Sequence, residues 1–247
     1  MKKTVLFSVM LAGAATCLAG SSTVSSANAI GLMEVADNSK DYLLVAVPWL
    51  DYGTGDAAIN VADLIKTANL TAGDKLYVSD GSYYDTYVLQ NNEWVPTKKA
   101  SVSAAGVVTE DESTPASTRT VQRGDAIWLK RSAKNTFYIF GQKPDSDTVT
   151  VNLSAGMNLV ASPSATGLKL SSFSTGCIAN DEIIVSGNSG EEAHYYFREP
   201  SAGGGVACWC KVQKSGIRKS YVAATETITA GTGFWYKTTG TGRSITL

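Results

Sequence analysis

Gly124-Asp125-Ala126-Ile127-Trp128-Leu129-Lys130 comes back 107 residues later as Gly231-Thr232-Gly233-Phe234-Trp235-Tyr236-Lys237. At the same offset, Ala72-Gly73-Asp74-Lys75-Leu76-Tyr77-Val78 matches Ala179-Asn180-Asp181-Glu182-Ile183-Ile184-Val185. Leu44-Val45-Ala46-Val47-Pro48 matches Leu159-Val160-Ala161-Ser162-Pro163 at an offset of 115, and Trp94 matches Trp209 at that offset. The matches keep their order along the chain, which reads as tandem duplication of one module. A residue present in both copies is expected to build the fold. A residue in one copy alone is the better candidate for function.

Outside the copies, residues 1–29 read as an export signal. Lys2 and Lys3 give a basic start, Val5 to Ala15 is apolar, and Ala27-Asn28-Ala29 has the small-x-small pattern of a cleavage site. Thr16 is a poor neighbour for a lipidated Cys17. The mature chain is expected to begin near Ile30 and to be periplasmic, cell-surface or extracellular. No later apolar run reaches the length of a transmembrane helix, so no integral membrane segment is expected. The formal net charge is −1, and loss of Lys2 and Lys3 makes the remainder more acidic. That balance excludes a basic stripe for nucleic acid and an electrostatic hold on anionic lipid.

Each copy reads as strands and turns. Thr148-Val149-Thr150-Val151-Asn152-Leu153 alternates polar and apolar, and Met157 to Ala161 gives a second strand. The expected fold is all-β: two tandem duplicated antiparallel β-sandwich or barrel-like domains of six to eight strands, at residues 30–142 and 148–247. A short linker, 143–147, joins them. The first copy alone is expected to carry a short helix, Asn60 to Ala68, because Val61, Leu64, Ile65 and Ala68 share one helical face behind an Asn60 cap. In the second copy only a turn near Leu170 to Phe173 stands there. Every length difference falls between matched strands, where insertions cost little.

Candidate chemistry is sparse. His194 is the only histidine, so any Ser-His or Cys-His catalysis must pass through it, and no G-x-S-x-G elbow exists. The expected reading is a solvated strand-end histidine, no enzyme, no cofactor and no metal site. Cys177, Cys208 and Cys210 occur in the second copy only and are the disulfide candidates. A bond between Cys208 and Cys210 is awkward on an extended strand, so Cys177 with either of them is preferred. The odd thiol would then stay free or bridge molecules. Arg123-Gly124-Asp125 spells an adhesion tripeptide, yet its counterpart Ala230-Gly231-Thr232 makes it turn geometry. The loop acids, such as Asp51, Asp80 and Asp145, read as solvated turns. Matched tryptophans read as core. Trp49, Tyr52, Tyr83 and Tyr84 form the candidate exposed aromatic patch for a glycan, set beside a plain packing role for each.

Gly156-Met157-Asn158-Leu159-Val160-Ala161-Ser162-Pro163 resembles the G-W-N-L-V-S-x-P strand motif of a group of exported bacterial β-repeat proteins, and Gly124 to Trp128 and Gly231 to Trp235 resemble a later strand of that group. The first copy departs from the motif, with Lys40-Asp41-Tyr42-Leu43 where the glycine would stand. The resemblance implies export and a duplicated β fold, and brings no activity or site residues. The expected function is a non-enzymatic exported structural or interaction protein of the cell surface or an extracellular assembly. The alternative is a carbohydrate-binding module. Self-association through the last strand, or another surface protein as partner, is expected on the first reading.

Overall fold

The computed structural model describes residues 30–35, 42–47, 49–50, 58–63, 70–79, 83–102, 108–111, 114–116, 118–133, 136–164, 166–186, 192–200, 206–215 and 218–247. The expected export signal, residues 1–29, lies outside them.

The first half contains β1 (Ile30–Val35), β2 (Tyr42–Ala46), β3 (Ala58–Asn60), β4 (Lys75–Ser79), β5 (Tyr84–Gln90), β6 (Glu93–Val102), β7 (Val108–Asp111), β8 (Thr120–Gln122), β9 (Ala126–Lys130) and β10 (Phe137–Gln142). The second contains β11 (Thr150–Leu153), β12 (Gly156–Ala161), β13 (Leu168–Lys169), β14 (Glu182–Ser186), β15 (Glu192–Arg198), β16 (Cys208–Ser215), β17 (Arg218–Ala223), β18 (Thr227–Ile228), β19 (Gly233–Thr238) and β20 (Arg243–Thr246). The six-stranded sheets run β2-β9-β4-β5-β6-β7 and β12-β19-β14-β15-β16-β17, and the two-stranded pairs are β1-β10, β3-β8, β11-β20 and β13-β18. Adding ten to each strand number of one half gives the other. Each half holds ten strands, more than expected; β3-β8 and β13-β18, two or three residues per strand, are too brief to show as periodic runs.

Alternation sets the layers. In β19, Phe234 and Tyr236 are buried while Trp235 and Lys237 face outward. The inner face of the second sheet, with Ile183, Tyr195, Phe197 and Trp209, packs under Val151, Leu153 and Ile245 from β11-β20 and Leu168 and Ile228 from β13-β18. The first half repeats this: Leu76, Tyr87, Trp94 and Leu129 of the sheet meet Ile59, Val121 and Ile139 from the pairs. The result is an all-β, sandwich-like arrangement.

The expected helix from Asn60 to Ala68 is not what forms in the described residues. Asn60 Oδ1 does accept the Ala62 N–H at 3.0 Å, but only a 3₁₀ turn follows, Val61–Asp63. Val61 is fully buried and its amide goes to Arg119 O, so β3-β8 pairing claims the segment; residues 64–69 lie outside the described set. The expected turn in the second half is a 3₁₀ turn, Leu170–Ser172. The last strand, expected to pair with another molecule, is taken up in part within the chain. β20 pairs with β11, Leu247 exchanges backbone bonds with Val149, and the Thr246 N–H goes to Thr175 O.

A buried aspartate anchors each half. Asp74 Oδ2 accepts the Thr71 N–H at 2.9 Å and its Oδ1 the Ser132 N–H at 2.8 Å. Asp181 Oδ2 accepts the Ile178 N–H and its Oδ1 the Thr239 N–H, both at 3.0 Å. Each carboxylate thereby ties the turn before one strand to the turn after its neighbour. Asp181 also takes the Tyr236 hydroxyl at 2.6 Å and pairs with Arg243. Burial pushes its pKa up, but Arg243 and the N–H and O–H donors outweigh that and hold it below the ordinary value.

The halves meet through reciprocal contacts. The Ala46 N–H donates to Gly231 O at 3.0 Å, and the Ala161 N–H donates to Gly124 O at 2.8 Å. Val45 bridges Thr232, and Val160 bridges Asp125. These are matched positions exchanged, the pattern of a two-fold interface within one chain. Gly124 and Gly231 hold φ of 91° and 80°, the left-handed region that suits glycine. Ala46, Ala126 and Ala161 fill the seam. A Cβ on Gly233 would lie 2.6 Å from both Ala126 Cβ and Leu44 Cγ.

Two stability outcomes follow. Gly233→Ala is expected to cost about 1–3 kcal/mol through overpacking of the seam, read by urea unfolding. Asp181→Ala, which strands the Arg243 charge, is expected to cost about 3–5 kcal/mol. A loss under 1 kcal/mol at Asp181 would mean that the anchor is dispensable.

Candidate functional site

Three unmatched residues, His194, Cys208 and Cys210, share one surface, the outer face of the second six-stranded sheet; unmatched Trp49 and Cys177 do not join them. Trp209 points inward, so its neighbours Cys208 and Cys210 point outward. On β15, Tyr195 and Phe197 point inward, so His194, Tyr196 and Arg198 point outward. Register places Tyr196 opposite both Glu182 and Cys210, and Arg198 opposite Cys208.

The polar part of this face centres on Glu182. His194 Nδ1 lies 2.8 Å from Glu182 Oε1, and Lys237 Nζ lies 3.6 Å from Oε2. Tyr196 hydrogen-bonds the same carboxylate, and His194 Nε2 is 3.4 Å from Glu192 Oε2. Burial pushes the Glu182 pKa up, but the His194 and Tyr196 hydrogen bonds and the Lys237 charge bring it below the usual value. Burial and the Glu182 bond raise the Tyr196 hydroxyl above its ordinary range. The aromatic part lies beside it. Arg198 stacks on Tyr221 at 4.2 Å, and Tyr196 meets Tyr221 edge-on at 6.4 Å. Tyr221 is 45% exposed. The arrangement offers an array of donors, acceptors and ring faces on one side of the sheet. His194 has both nitrogens beside carboxylates, which suits binding better than proton transfer to a nucleophile.

The three cysteines are free, and the preferred pairing is not brought together. Cys177 contacts Tyr236, whose ring packs on Trp209 in the core. It therefore lies on the opposite side of the sheet from Cys208 and Cys210, whose Sγ atoms are 3.5 Å apart. Burial pushes the Cys177 thiol up to about 11. Among the described residues, no group of three or more His, Cys, Asp or Glu is placed to hold a metal ion.

The expected aromatic patch does not assemble. Trp49 is 5% exposed, packs in the first core, and donates its indole N–H to Ile139 O at 3.2 Å. Tyr52 lies outside the described residues. Tyr84 is half-buried and bonded by Trp128. Only Tyr83 is well exposed, beside a shallow depression with Lys99, Ser101, Asp111 and Thr114. Of the matched tryptophans, Trp94 and Trp209 are core, whereas Trp128 and Trp235 are half-buried on outer faces. The adhesion tripeptide is masked in the seam: Arg123 is 8% exposed and donates to Ser146 O and Pro163 O at 2.8 and 3.2 Å.

Among the described residues no helix is long and apolar enough to cross a membrane. Comparison with protein-family models, curated proteins and solved structures returns no match.

The Glu182 cluster carries a pH signature. A carboxyl with a lowered folded pKa stabilises fully above the unfolded value and loses that contribution as pH falls through the folded one. Glu182→Gln is therefore expected to be less stable than the parent at neutral pH, with the gap closing between about pH 5 and pH 3. Denaturant midpoints across that range measure it; a constant gap would show that ionisation of Glu182 is not what holds the cluster.

Proposed function

We infer that the chain is a non-enzymatic exported protein of the cell surface or an extracellular assembly, and that it works by presenting the outer face of its second sheet to a partner. The observation that supports this reading is the convergence of His194, Arg198 and Tyr221 on one face of a scaffold whose matched residues are largely buried. Polar and aromatic groups on one side of a sheet suit recognition. The matched strand order supports descent from one duplicated module, and the G-W-N-L-V-S-x-P-like strand accords with exported β-repeat proteins. Self-association or another surface protein remains the proposed partnership, now through the second sheet. Its terminal strand β17 leaves one edge for pairing and carries Arg218 and Lys219. Glycan binding loses Trp49, and its remaining support is the Tyr196, Tyr221 and Arg198 group.

The test is direct. The mature chain (residues 30–247) is expected to self-associate in sedimentation velocity or to bind intact cells of its source, and Arg198→Ala with Tyr221→Ala is expected to weaken that at least about tenfold. A chain that stays monomeric and binds no cells, or a double variant that behaves as the parent, overturns the reading. A glycan array with hits lost in the double variant selects the carbohydrate alternative.

A further inference from the structure

Cys208 and Cys210 have no cysteine counterparts: the residues flanking Trp94 in the first half are Glu93 and Val95. Both thiols sit on the outer face, 3.5 Å apart. Cys208 is half-buried and Cys210 is buried. Arg198 stands opposite Cys208 across the strand pair, Tyr196 opposite Cys210, and Ala223 of β17 flanks Cys210 on its other side. Arg198 thus supplies a cation bordering the pair. No third metal-ligating side chain joins the two sulfurs among the described residues, so their nearest chemical partner is each other.

We propose that Cys208 and Cys210 form a thiol–disulfide exchange site that closes to a reversible intrachain disulfide by reducing a small-molecule disulfide. Cys208, the more exposed, attacks one sulfur of the incoming disulfide as its thiolate. A mixed disulfide forms on Cys208 and one thiolate leaves. Cys210 then attacks the Cys208 sulfur and expels the second thiolate. Two cysteine thiols become one disulfide, one small disulfide becomes two thiols, and the two protons shed by the cysteines end on those products. Burial and the hydrogen bond to Cys208 push the Cys210 thiol up to about 11, which accords with its acting second.

The geometry also sets the character of the bond. Positions i and i+2 of a strand are roughly 6.7 Å apart, at the long end of the Cα separations that disulfides span. Bringing the sulfurs from 3.5 Å to bonding distance requires β16 to contract around Trp209. A bond held under that strain is easily reduced, so the pair acts as a switch on the recognition face and not as a staple. The inference stands on the cysteine geometry and is independent of what the face binds.

The experiment uses the reduced mature chain, equilibrated with mixtures of reduced and oxidised glutathione, acid-quenched, alkylated and digested with trypsin. The peptide from Glu199 to Lys211 carries both thiols. With excess oxidised glutathione it is expected to escape alkylation and to weigh about 2 Da less than its dithiol form, as loss of two hydrogens requires. Excess reduced glutathione is expected to reverse this. Cys177→Ser is expected to leave the behaviour unchanged, and Cys210→Ser to trap a lasting glutathione adduct on Cys208. A peptide alkylated at both thiols under every mixture, a lasting adduct in the parent, a bond to Cys177, or covalent dimers would each overturn the proposal.

Discussion

Two reciprocal backbone hydrogen bonds, Ala46 to Gly231 and Ala161 to Gly124, constrain everything around them. They form only if the start of β9 and the start of β19 lie against the ends of β12 and β2. That approach allows no bulk at the crossing, which accounts for the Ala126–Gly233 contact and the alanines on either side. It also covers the ends of two edge strands, at Val45–Ala46 of β2 and Val160–Ala161 of β12. β2 and β12, the first strands of the two sheets, face each other's half, while β7 and β17 end the sheets on the far sides. An edge strand is an open row of donors and acceptors, so of the edges of the six-stranded sheets those of β7 and β17 are the ones the seam does not touch. The same crossing buries Arg123 against the linker, so the tripeptide serves architecture.

The two outer faces show what a shared scaffold leaves free. One lattice position carries Lys75 in the first half and Glu182 in the second, with opposite charge. Lys75 and Lys98 pair with Glu110, which reaches across from β7, at 2.6 and 2.9 Å. Burial pushes the Glu110 pKa up, but the two lysines bring it below its usual range. Tyr77 beneath is only 4% exposed, and its hydroxyl pKa is raised by burial and by neighbouring Tyr42 and Glu110. The first outer face is thus capped by its own chain. Glu182 instead recruits His194 and Lys237 from adjacent strands, and that face leaves the Tyr221 ring exposed.

Much of the architecture was legible in the chain because burial on one face enforces alternation. The matched strands, the Gly124 and Gly231 turns and the core positions of Trp94 and Trp209 follow from that. Trp128 and Trp235 depart from the expectation that matched tryptophans are core, because Ile127 and Leu129, and Phe234 and Tyr236, take the inward positions on either side of them. In its described part the segment after Asn60 forms a 3₁₀ turn where a helical spacing of three and four was read, because Val61 is fixed by long-range pairing to Arg119. Of the two roles left open for Trp49, packing is the one it takes; the sequence could not choose between them because Trp49 lacks a match and belongs to no periodic run. The Glu182–His194 contact needed the register of β14 on β15, which depends on hairpin geometry that composition does not encode.

The placement of His194, Cys208 and Cys210 on the second outer face has a simple physical cause. Inner positions are shared by two cores of one design, where a change of even one methylene is felt. Outer positions answer only to solvent and to whatever docks there. Glu93 and Val95 on one side of the comparison, Cys208 and Cys210 on the other, occupy equivalent backbone sites around an inward tryptophan. Nothing in the fold demands thiols at these points, since the first half folds without them. Two thiols placed 3.5 Å from each other, on the side of the sheet away from the second core cluster, are therefore not called for by that cluster.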